Sequence, residues 1–436
     1  MENEGIPLPI NFFDIYLAEK LINHEYKAPV NFPLESLLAK KASLTQQLLH
    51  NYQLMDTAEL EFKTLFATLQ MEKNGIEIDI DRVQQHHEEM LKQKTNLKDN
   101  IAGEIGKEVN LNSPQQLLEV LSKRGYDLKD TEKKTLSPLA ENEPLIADIL
   151  DFRKIQKQLE KPKEIIKAVD KGPNRIYSHY NQLGTQTGRF SCTDFNIQQV
   201  PKNKAIRSCF IPADGNVFVV ADYSQIQLRI AAEISNDTNM IQAYVDDKDF
   251  HTETAALIND IAPEQVTPEM RKAAKALNFG VLFGMGAEKF VEKVKNDYGI
   301  HMSKDQAKEY IKRFFDAYPD FKHWKKTVMN NYDMRTLGNR GFFNVKKTYT
   351  QRLNLPIQGS EADILKTALC LLTDRLKGTS GKIVTCIHDE IMLECAKEEG
   401  EQMKRILQNS MEESGRVYLK NVPVVAEAEI RESWAD

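Results

Sequence analysis

Two segments with strand character, separated by a long helical stretch, place the strongest constraint on how this chain can fold. Residues 174–222 are rich in turns and end in the apolar run 217–221. Residues 382–395 contain two short apolar runs around a polar centre, which is the pattern of a β-hairpin. Helical spacing dominates residues 223–345. The sequence therefore predicts a discontinuous α+β domain, in which distant segments share a sheet, rather than repeated βαβ units.

An acidic residue stands at the end of each of these strand segments. Asp222 directly follows the first apolar run, and Asp389 lies at the hairpin tip between His388 and Glu390. Two carboxylates held together by strand ends could bind a pair of Mg²⁺ ions, which activate a hydroxyl and neutralise charge on a transferred phosphoryl group. For either Asp considered alone, a capping or strand-ending role is the stronger interpretation.

Residues 267–284 combine a helix start with a spaced row of cations and aromatic rings. Thr267 is predicted as the N-cap and Pro268 as the first helical residue. Four side chains then follow at steps of four residues and share one face of the helix: Arg271, Lys275, Phe279 and Phe283. Such a face could bind a triphosphate and stack a base on a ring. The alternative is an amphipathic helix with solvated cations and core aromatics, which on these residues alone is the default.

The average charge of the chain argues against a nucleic-acid partner, whereas the distribution of charge does not. The 436 residues include 58 Lys and Arg against 64 Asp and Glu, a formal net charge of −6. Residues 265–347 hold 17 Lys and Arg and nine Asp and Glu, a net charge of +8, which leaves −14 for the remainder. A basic segment suits a phosphate backbone, although a solvated helix face explains many of its lysines.

Simple counts argue against a membrane-spanning protein, a protein with a targeting sequence and a zinc-binding protein. No apolar run approaches the roughly 18 residues of a membrane span. The acidic N-terminus has no targeting character. The five cysteines are scattered and form no CxxC pair, which favours reduced thiols in an intracellular protein over a disulfide framework or a zinc site.

Three segments resemble, in order, motifs A, B and C of the family A DNA polymerases, the DNA polymerase I type. They are residues 222–230 (DYSQIQLRI), 271–280 (RKAAKALNFG) and 387–390 (IHDE). Four further blocks agree with the family in the same order: 187–191 (TGRFS) with 196–198 (NIQ), 249–252 (DFHT), 356–360 (PIQGS) with 362–363 (AD), and 432–434 (ESW). The resemblance covers residues 58–436.

The resemblance implies a right-hand polymerase fold, with an antiparallel sheet in a discontinuous palm and with helical fingers and thumb. It places three domains on the chain: the thumb at 57–168, the palm at 169–235 and 346–436, and the fingers at 236–345. Residues 1–56 are interpreted as an N-terminal appendage and a remnant of a 3′–5′ exonuclease domain, because 13–21 faintly resemble its last part. The DxE motif of that domain is not found, so we expect no proofreading. A segment resembling a 5′-nuclease domain is not found either, so we expect no 5′-nuclease activity.

The resemblance also implies a reaction, its cofactors and its partners. The chain is expected to add deoxynucleoside triphosphates to a primer 3′ end on a DNA template and to release pyrophosphate. Two Mg²⁺ ions would serve the reaction, with Mn²⁺ as a substitute. We expect a monomer without a membrane partner, in the cytoplasm of a bacterium or encoded by a phage in a bacterial host, and an organellar location stays open.

The matching positions give each predicted site residue a role. The predicted metal ligands are the carboxylates of Asp222 and Asp389 and the backbone carbonyl of Tyr223, with Glu390 beside them as a further catalytic acid. The predicted nucleotide-binding residues are His251, Arg271 and Lys275 for the phosphates, and Phe279, Gln227 and Phe283 around the rest of the nucleotide. Lys275 is also the predicted general acid for the leaving pyrophosphate. The predicted primer–template contacts, whose donors suit minor-groove acceptors, are Arg189, Asn354, Gln358 and His388.

Two of these positions depart from the family together. Gln227 stands where most relatives have Glu, and Phe283 stands where the family has a Tyr that bonds to that Glu. A Glu without its partner would be a poorly satisfied charge in a closed site, so the joint change is physically consistent. We therefore expect selection against ribonucleotides to persist in altered form, with neutral variation as the alternative.

Three further departures affect the predicted primer–template contacts. Glu233 replaces a usual His and Gln199 a usual Asn. Thr350 stands where an Arg is expected, and Arg352 is the candidate substitute for it.

Two other functions compete with the polymerase prediction. A single-subunit RNA polymerase shares the two-Asp palm but typically has HDS where this chain has His388-Asp389-Glu390. A degenerate polymerase kept as a DNA-binding or assembly module would not need its charged residues intact, and here they are all present: Asp222, Asp389, Arg271 and Lys275.

Overall fold

The computed structural model describes residues 14–22, 40–41, 43–48, 53–169, 174–345 and 348–435. Within them the chain is an α+β protein dominated by helices. The helices are α1 (Ile15–Ile22), α2 (Met55–Asn74), α3 (Ile80–Ile105), α4 (Pro114–Lys123), α5 (Lys133–Leu136), α6 (Pro144–Gln158), α7 (Glu160–Val169), α8 (Lys204–Arg207), α9 (Ile226–Ser235), α10 (Thr238–Val245), α11 (Phe250–Asn259), α12 (Pro268–Leu282), α13 (Ala287–Tyr298), α14 (Lys304–Ala317), α15 (Pro319–Asn330), α16 (Tyr349–Arg375) and α17 (Gly400–Tyr418).

The strands form small sheets from segments that are distant in the sequence. They are β1 (Ile76–Ile78), β2 (Arg175–Ile176), β3 (His179–Asn181), β4 (Ser191–Thr193), β5 (Phe210–Ile211), β6 (Asn216–Tyr223), β7 (Met334–Arg335), β8 (Gly341–Phe342), β9 (Lys382–Ile387), β10 (Glu390–Ala396) and β11 (Ala426–Arg431). The sheets have the orders β11-β6-β10-β9, β2-β1-β5, β3-β4 and β7-β8. The predicted α+β class with a sheet built from distant segments is confirmed.

Contacts divide the chain into two compact units, each built from separate segments. One unit contains residues 178–193, 215–430 and the described residues before 75. The other contains residues 75–177, 194–214 and 431–436. The predicted boundaries of thumb, palm and fingers stay a prediction.

The first unit is organised around the four-stranded sheet. Strands β6 and β10 pair antiparallel from Asn216–Ala396 at one end to Asp222–Glu390 at the other. Helix α17 packs against β6, and helix α2 packs against β9. Residues 217–221 are all buried, which explains why β6 reads as a continuous apolar run rather than as an alternating one.

The second unit joins a three-stranded sheet to a group of helices. Strand β1 pairs antiparallel with both β2 and β5. Helix α3 begins at its N-cap Asp79 and ends at Gly106, whose φ of 78° is a left-handed conformation that favours glycine. Its apolar face joins a buried cluster from α4, α5 and α6 that includes Ile101, Leu117 and Ile149.

The predicted helix start at Thr267 is confirmed at atomic detail. The Thr267 side chain caps α12 by accepting a hydrogen bond from the Met270 N–H, and Pro268 is the first helical residue. Helix α4 begins in the same way, with Ser113 accepting from the Gln116 N–H and Pro114 as the first helical residue.

Several other predictions concern bonding, membrane passage or the N-terminal segment. The five cysteines are free thiols, as predicted. No helix among the described residues is long and apolar enough to cross a membrane. Most of the predicted appendage 1–56 lies outside the described residues, which include α1 and parts of 40–48.

Candidate active site

Strand pairing brings the predicted catalytic acids to one end of the largest sheet. Asp222, near the end of β6, is the cross-strand partner of Glu390, the first residue of β10. His388 and Asp389 form the turn between β9 and β10, and His388 adopts a left-handed conformation with φ 58°. The Tyr223 N–H donates to the Asp389 carbonyl at 3.3 Å. All five residues of this group therefore lie together at one end of the two central strands.

Neither Asp222 nor Asp389 forms an ion pair with a cation among the described residues; the nearby Arg189 pairs with Glu361 instead. Asp222 is exposed on its strand. Burial raises the pKa of the Asp389 carboxyl, the nearby charge of Asp222 raises it further, and its own backbone N–H, His388 and Arg189 oppose the change. This arrangement favours a bound cation, because a positive ion would relieve the repulsion between the two carboxylates.

Tyr223 can offer a metal ion its backbone carbonyl but not its side chain. The ring is buried, and the hydroxyl donates to the Met411 carbonyl at 2.9 Å and lies 2.7 Å from Ser414 Oγ. Burial raises the pKa of the Tyr223 hydroxyl well above its usual range. The phenol is therefore a structural anchor between β6 and α17, and it faces away from Asp222 on the alternating strand.

The donor set fits a hard divalent ion that keeps part of its water shell. Two carboxylates and one backbone carbonyl offer oxygen atoms of the kind that Mg²⁺ prefers, and Mg²⁺ is usually held by one or two carboxylates together with substrate phosphates. No group of three or more His, Cys, Asp or Glu side chains forms a metal cluster among the described residues. The residues present therefore fit ions that arrive with a substrate rather than a closed structural metal site.

Helix α12 presents the predicted row of cations and rings on its open face. Arg271 and Lys275 are exposed, and Phe279 is half-buried, whereas the opposite face is buried. Exposed cations are common to both interpretations of this helix, and the ring of Phe279 lies at the boundary between its buried and exposed faces. One detail of the prediction is wrong, because the helix ends at Leu282 and Phe283 is its half-buried C-cap rather than a member of the helical row.

Arg271 is held in place by an acid that the sequence analysis did not single out. Its guanidinium donates to both oxygens of Asp249, from Nε at 3.0 Å and from Nη2 at 2.7 Å. Asp249 also caps α11 by accepting from the Thr252 N–H at 2.7 Å. Burial opposes ionisation, but the hydrogen bonds from Arg271 and Thr252 hold the pKa of Asp249 well below its usual range.

His251, predicted to bind phosphate, is buried and uncharged at neutral pH. Its Nδ1 lies 2.9 Å from the Asn278 amide nitrogen, and its ring lies 5.8 Å from the Phe279 ring. Burial lowers the pKa of His251 to about 4; the nearby charge of Asp249 opposes this shift, and the positive charges of Arg271 and Lys275 add to it. In the chain without a bound nucleotide, the ring is therefore neutral and can donate or accept a hydrogen bond.

The predicted primer–template residues of α16 lie on one face of that helix. Asn354 and Gln358, one turn apart, are half-buried. The Asn354 Oδ1 atom is buried without a hydrogen-bond partner among the described residues. Arg352 does not replace the missing Arg at position 350, because it is buried, donates to the Met329 carbonyl at 2.8 Å and stacks on a Tyr332 ring.

Arg189 and Gln227 meet a buried acid, Glu361, that sequence reasoning missed. Arg189 Nη2 donates to Glu361 Oε2 at 2.5 Å. Burial raises the pKa of the Glu361 carboxyl, and Arg189 and the nearby Gln227 side chain oppose this rise. A signal existed in the sequence, because Glu361 interrupts the apolar stripe of Ile357 and Ile364 at helical spacing, and a charge in such a stripe requires a partner.

Glu233, another departure from the family, has a local structural role. Its carboxylate accepts from the backbone N–H groups of Asn421 at 2.9 Å and Val422 at 3.0 Å. The segment before β11 is thereby fixed to helix α9. Helix α9 itself packs against both α12 and α16, so the elements that carry the nucleotide and primer residues are in direct contact.

Comparison with known proteins shows the family to which the chain belongs. The family model described as DNA polymerase family A matches residues 80–436. DNA polymerase I of Aquifex aeolicus is 37% identical over 339 residues, covering 74% of this chain and 58% of the relative. DNA polymerase I of Bacillus caldotenax is 32% identical over 440 residues, covering 92% of this chain and 48% of the relative. The chain thus spans about half the length of the curated relatives that it matches.

A solved structure shares the fold. It is the POL domain of Pol1 from M. smegmatis in complex with DNA primer-template and dNTP, with a TM-score of 0.84 and 24% identity. The match covers 97% of this chain and 82% of that one. The chain belongs to DNA polymerase family A.

Proposed function

We propose that this chain is a template-directed DNA polymerase, which adds deoxynucleotides to a primer 3′ end and releases pyrophosphate. The observation that carries the proposal is the pairing of β6 with β10, because it sets Asp222 beside the turn that holds Asp389. The relatives named DNA polymerase I and the structural neighbour with bound primer-template and dNTP support DNA and deoxynucleoside triphosphates as partners.

Asp222, Asp389 and the Tyr223 carbonyl would hold two Mg²⁺ ions, for which Mn²⁺ could substitute. When bound, such ions activate the primer 3′-hydroxyl and stabilise negative charge on the transferred phosphoryl group. The 3′ oxygen forms a bond to the α-phosphorus while the bond to the pyrophosphate oxygen breaks. Glu390, the cross-strand partner of Asp222, adds a further negative charge at the same end of these two strands.

The open face of α12 would bind the incoming nucleotide. Arg271 and Lys275 are exposed cations one turn apart and can pair with the phosphates. Lys275 is proposed to donate the proton that the leaving pyrophosphate takes up. Phe279 is proposed to lie against the base, and Phe283 and Gln227 to line the remainder of the nucleotide site.

Four polar side chains would contact the primer–template near the new base pair. Asn354 and Gln358 share a face of α16, His388 lies at the hairpin tip, and Arg189 is fixed by Glu361. Minor-groove acceptors are present on every base pair, so such contacts report base-pair shape rather than sequence. DNA binding is therefore proposed to be independent of sequence and sensitive to salt.

Primer extension on a DNA template with Mg²⁺ tests the proposal. Wild type is expected to extend the primer, and Asp222→Ala is expected not to while it still binds DNA. Asp374→Ala, an exposed acid at the other end of α16, is the matched control and should retain wild-type activity. A wild-type chain that binds DNA without extending the primer would show a binding module instead of a polymerase.

Three finer features belong to the same proposal. The chain is proposed to act as a monomer in the bacterial cytoplasm and to leave primer 3′ ends untrimmed. Incubation of a 3′-labelled primer–template with Mg²⁺ and no nucleotide should leave the label in place, whereas release of labelled mononucleotide would show hydrolysis by this chain. Size-exclusion chromatography with light scattering should give the mass of one chain.

A further inference from the structure

Glu361 lies beneath the proposed active site, on the helix that also carries Asn354 and Gln358. Its side chain is 1% exposed, whereas that of its partner Arg189 is 20% exposed. A carboxylate so deeply buried is costly unless it is paired and hydrogen-bonded. Its single ion pair among the described residues is with Arg189, and its Oε1 atom has no hydrogen bond of good geometry there.

The surroundings of Glu361 connect three elements of the site. Arg189 precedes β4, Gln227 is in the first turn of α9, and Asp389 is near enough for its charge to act on the Glu361 carboxyl. Arg189 donates a hydrogen bond from Nη2 to Glu361. Its Nε atom is buried and has no hydrogen-bond partner among the described residues. The guanidinium is therefore fixed at one nitrogen and keeps further donors for another acceptor.

We propose that Glu361 is a positioning residue, which fixes the guanidinium of Arg189 toward the primer terminus and the amide of Gln227 toward the incoming nucleotide. The proposal rests on the proposed polymerase function. An Arg pinned by a charge-assisted hydrogen bond loses little freedom when it meets DNA, so its contact can distinguish a paired from a mispaired terminus. Without Glu361 the same side chain would adopt several rotamers and would lose that discrimination.

The proposal changes what a substitution at position 227 should do. Gln227→Glu would set a second carboxylate beside Glu361, and two neighbouring acids would compete for one guanidinium. Exchanging the two side chains, as Gln227→Glu with Glu361→Gln, would restore one carboxylate and one amide in the same space. The exchange variant therefore separates loss of positioning from mere disturbance of the fold.

The test compares matched and mismatched primer termini in two ways: extension with Mg²⁺, and equilibrium binding of a fluorescent primer–template by anisotropy. Glu361→Gln should lower the matched-to-mismatched ratio about tenfold in extension, and it should lower the ratio in binding as well. Gln227→Glu should also lower both ratios, and the exchange variant should recover most of the loss. Arg189→Ala should show the low ratios, and adding Glu361→Gln to it should change nothing further.

Glu394→Gln is the matched control, because Glu394 is also buried on β10 but bonds to the uncharged Asn216 amide at 2.8 Å. Wild-type ratios in Glu361→Gln, or an exchange variant no better than Glu361→Gln, would overturn the proposal. Failure of the wild type to extend any primer would instead overturn the proposed function, and the binding ratios would still decide the role of Glu361. A wild type that does not bind DNA would overturn both.

Discussion

Two groups of charged side chains in the same compact unit share helix α16, and they differ in how their acids are balanced. In the first group, Glu61 and Asp363 are matched by Arg340 and Lys366. In the second group, Asp222, Asp389 and Glu361 are accompanied by one ion-paired cation among the described residues, Arg189. The first group is a closed structural cluster with as many cations as acids. The second group has more acids than ion-paired cations.

Hydrogen bonding shows the same contrast. Lys366 Nζ donates to Glu61 at 2.5 Å and to the carbonyls of Gln182 at 2.9 Å and Gly188 at 2.7 Å. Arg340 bridges Glu61 at 2.6 Å and Asp363 at 2.9 Å. These buried groups are therefore paired and satisfied, which is the condition under which a buried charge network stabilises a fold.

The pKa shifts run in opposite directions in the two groups. Burial opposes ionisation of Glu61, but Lys366 and Arg340 outweigh it and lower the pKa of that carboxyl. Burial raises the pKa of Glu361 and of Asp389, and their cations do not outweigh it. Buried acids with matched cations thus stabilise the fold, whereas acids without them are suited to bind a cation from solution.

The largest expected effect is a loss of polymerase activity on substitution of an acid in the second group. Asp389→Asn should reduce primer extension by about 10³-fold or more, because it removes a carboxylate that would hold the metal ions. The same substitution should not lower the melting temperature, since it removes repulsion between Asp389 and Asp222. Extension kinetics and thermal unfolding of the same preparation provide both measurements. A clear fall in melting temperature would mean that Asp389 is a structural acid after all.

The next largest effect is on stability, in the matched group. Lys366→Met should lower the free energy of unfolding by about 3–5 kcal/mol, because it leaves Glu61 with one cation fewer and two carbonyls without a donor. Urea unfolding would measure the loss. Lys377 forms an exposed ion pair with Asp374 at the C-terminal end of α16. Lys377→Met should therefore change the free energy of unfolding by less than about 1 kcal/mol. Equal losses in the two variants would contradict the distinction between the groups.

A pH effect should appear at His251, a buried group without an acid partner in contact. Its folded pKa of about 4 lies below the unfolded value of 6.5, so the stability that it contributes is present above pH 6.5 and is lost as pH falls toward 4. Between pH 7 and pH 5 the loss should be about 2 kcal/mol. His251→Gln should flatten this part of the stability profile. An unchanged slope in the variant would show that His251 is protonated without cost in the fold.

The smallest effect is expected at the exposed pair of Asp249 and Arg271, whose side chains are 37% and 44% exposed. Asp249→Ala should lower the free energy of unfolding by about 1 kcal/mol, mainly through the lost cap of α11. Asp249→Asn keeps a capping oxygen and should cost less. Thermal unfolding of both variants measures the difference, and equal losses in the two variants would show that the ion pair with Arg271, which both variants remove, outweighs the cap.

Local signals in the sequence predicted much of the fold, and they predicted that Asp222 and Asp389 lie at the ends of neighbouring strands. The run 217–221 and the hairpin around Asp389 were visible because strand ends and turns depend on neighbouring residues. The cap Thr267 was visible for the same reason. Motif order then identified the family.

The balance of charge could not be predicted, because it depends on contacts between distant segments. Glu61 and Lys366 are 305 positions apart, and Arg189 and Glu361 are 172 positions apart. Composition and periodicity do not show which cation meets which acid. The burial of His251 was likewise hidden, since its neighbour Asn278 belongs to another helix.

Counting bound metal ions tests the central claim most directly. The complex would contain the chain, a primer–template ending in a dideoxynucleotide, and the next matching nucleotide, and Mn²⁺ binding would be followed by electron paramagnetic resonance. Wild type and Asp374→Asn should bind two Mn²⁺ ions per complex, and Asp222→Asn and Asp389→Asn should bind fewer. Two ions in either of these last two variants, bound as tightly as in wild type, would contradict the assignment of Asp222 and Asp389 as the metal ligands.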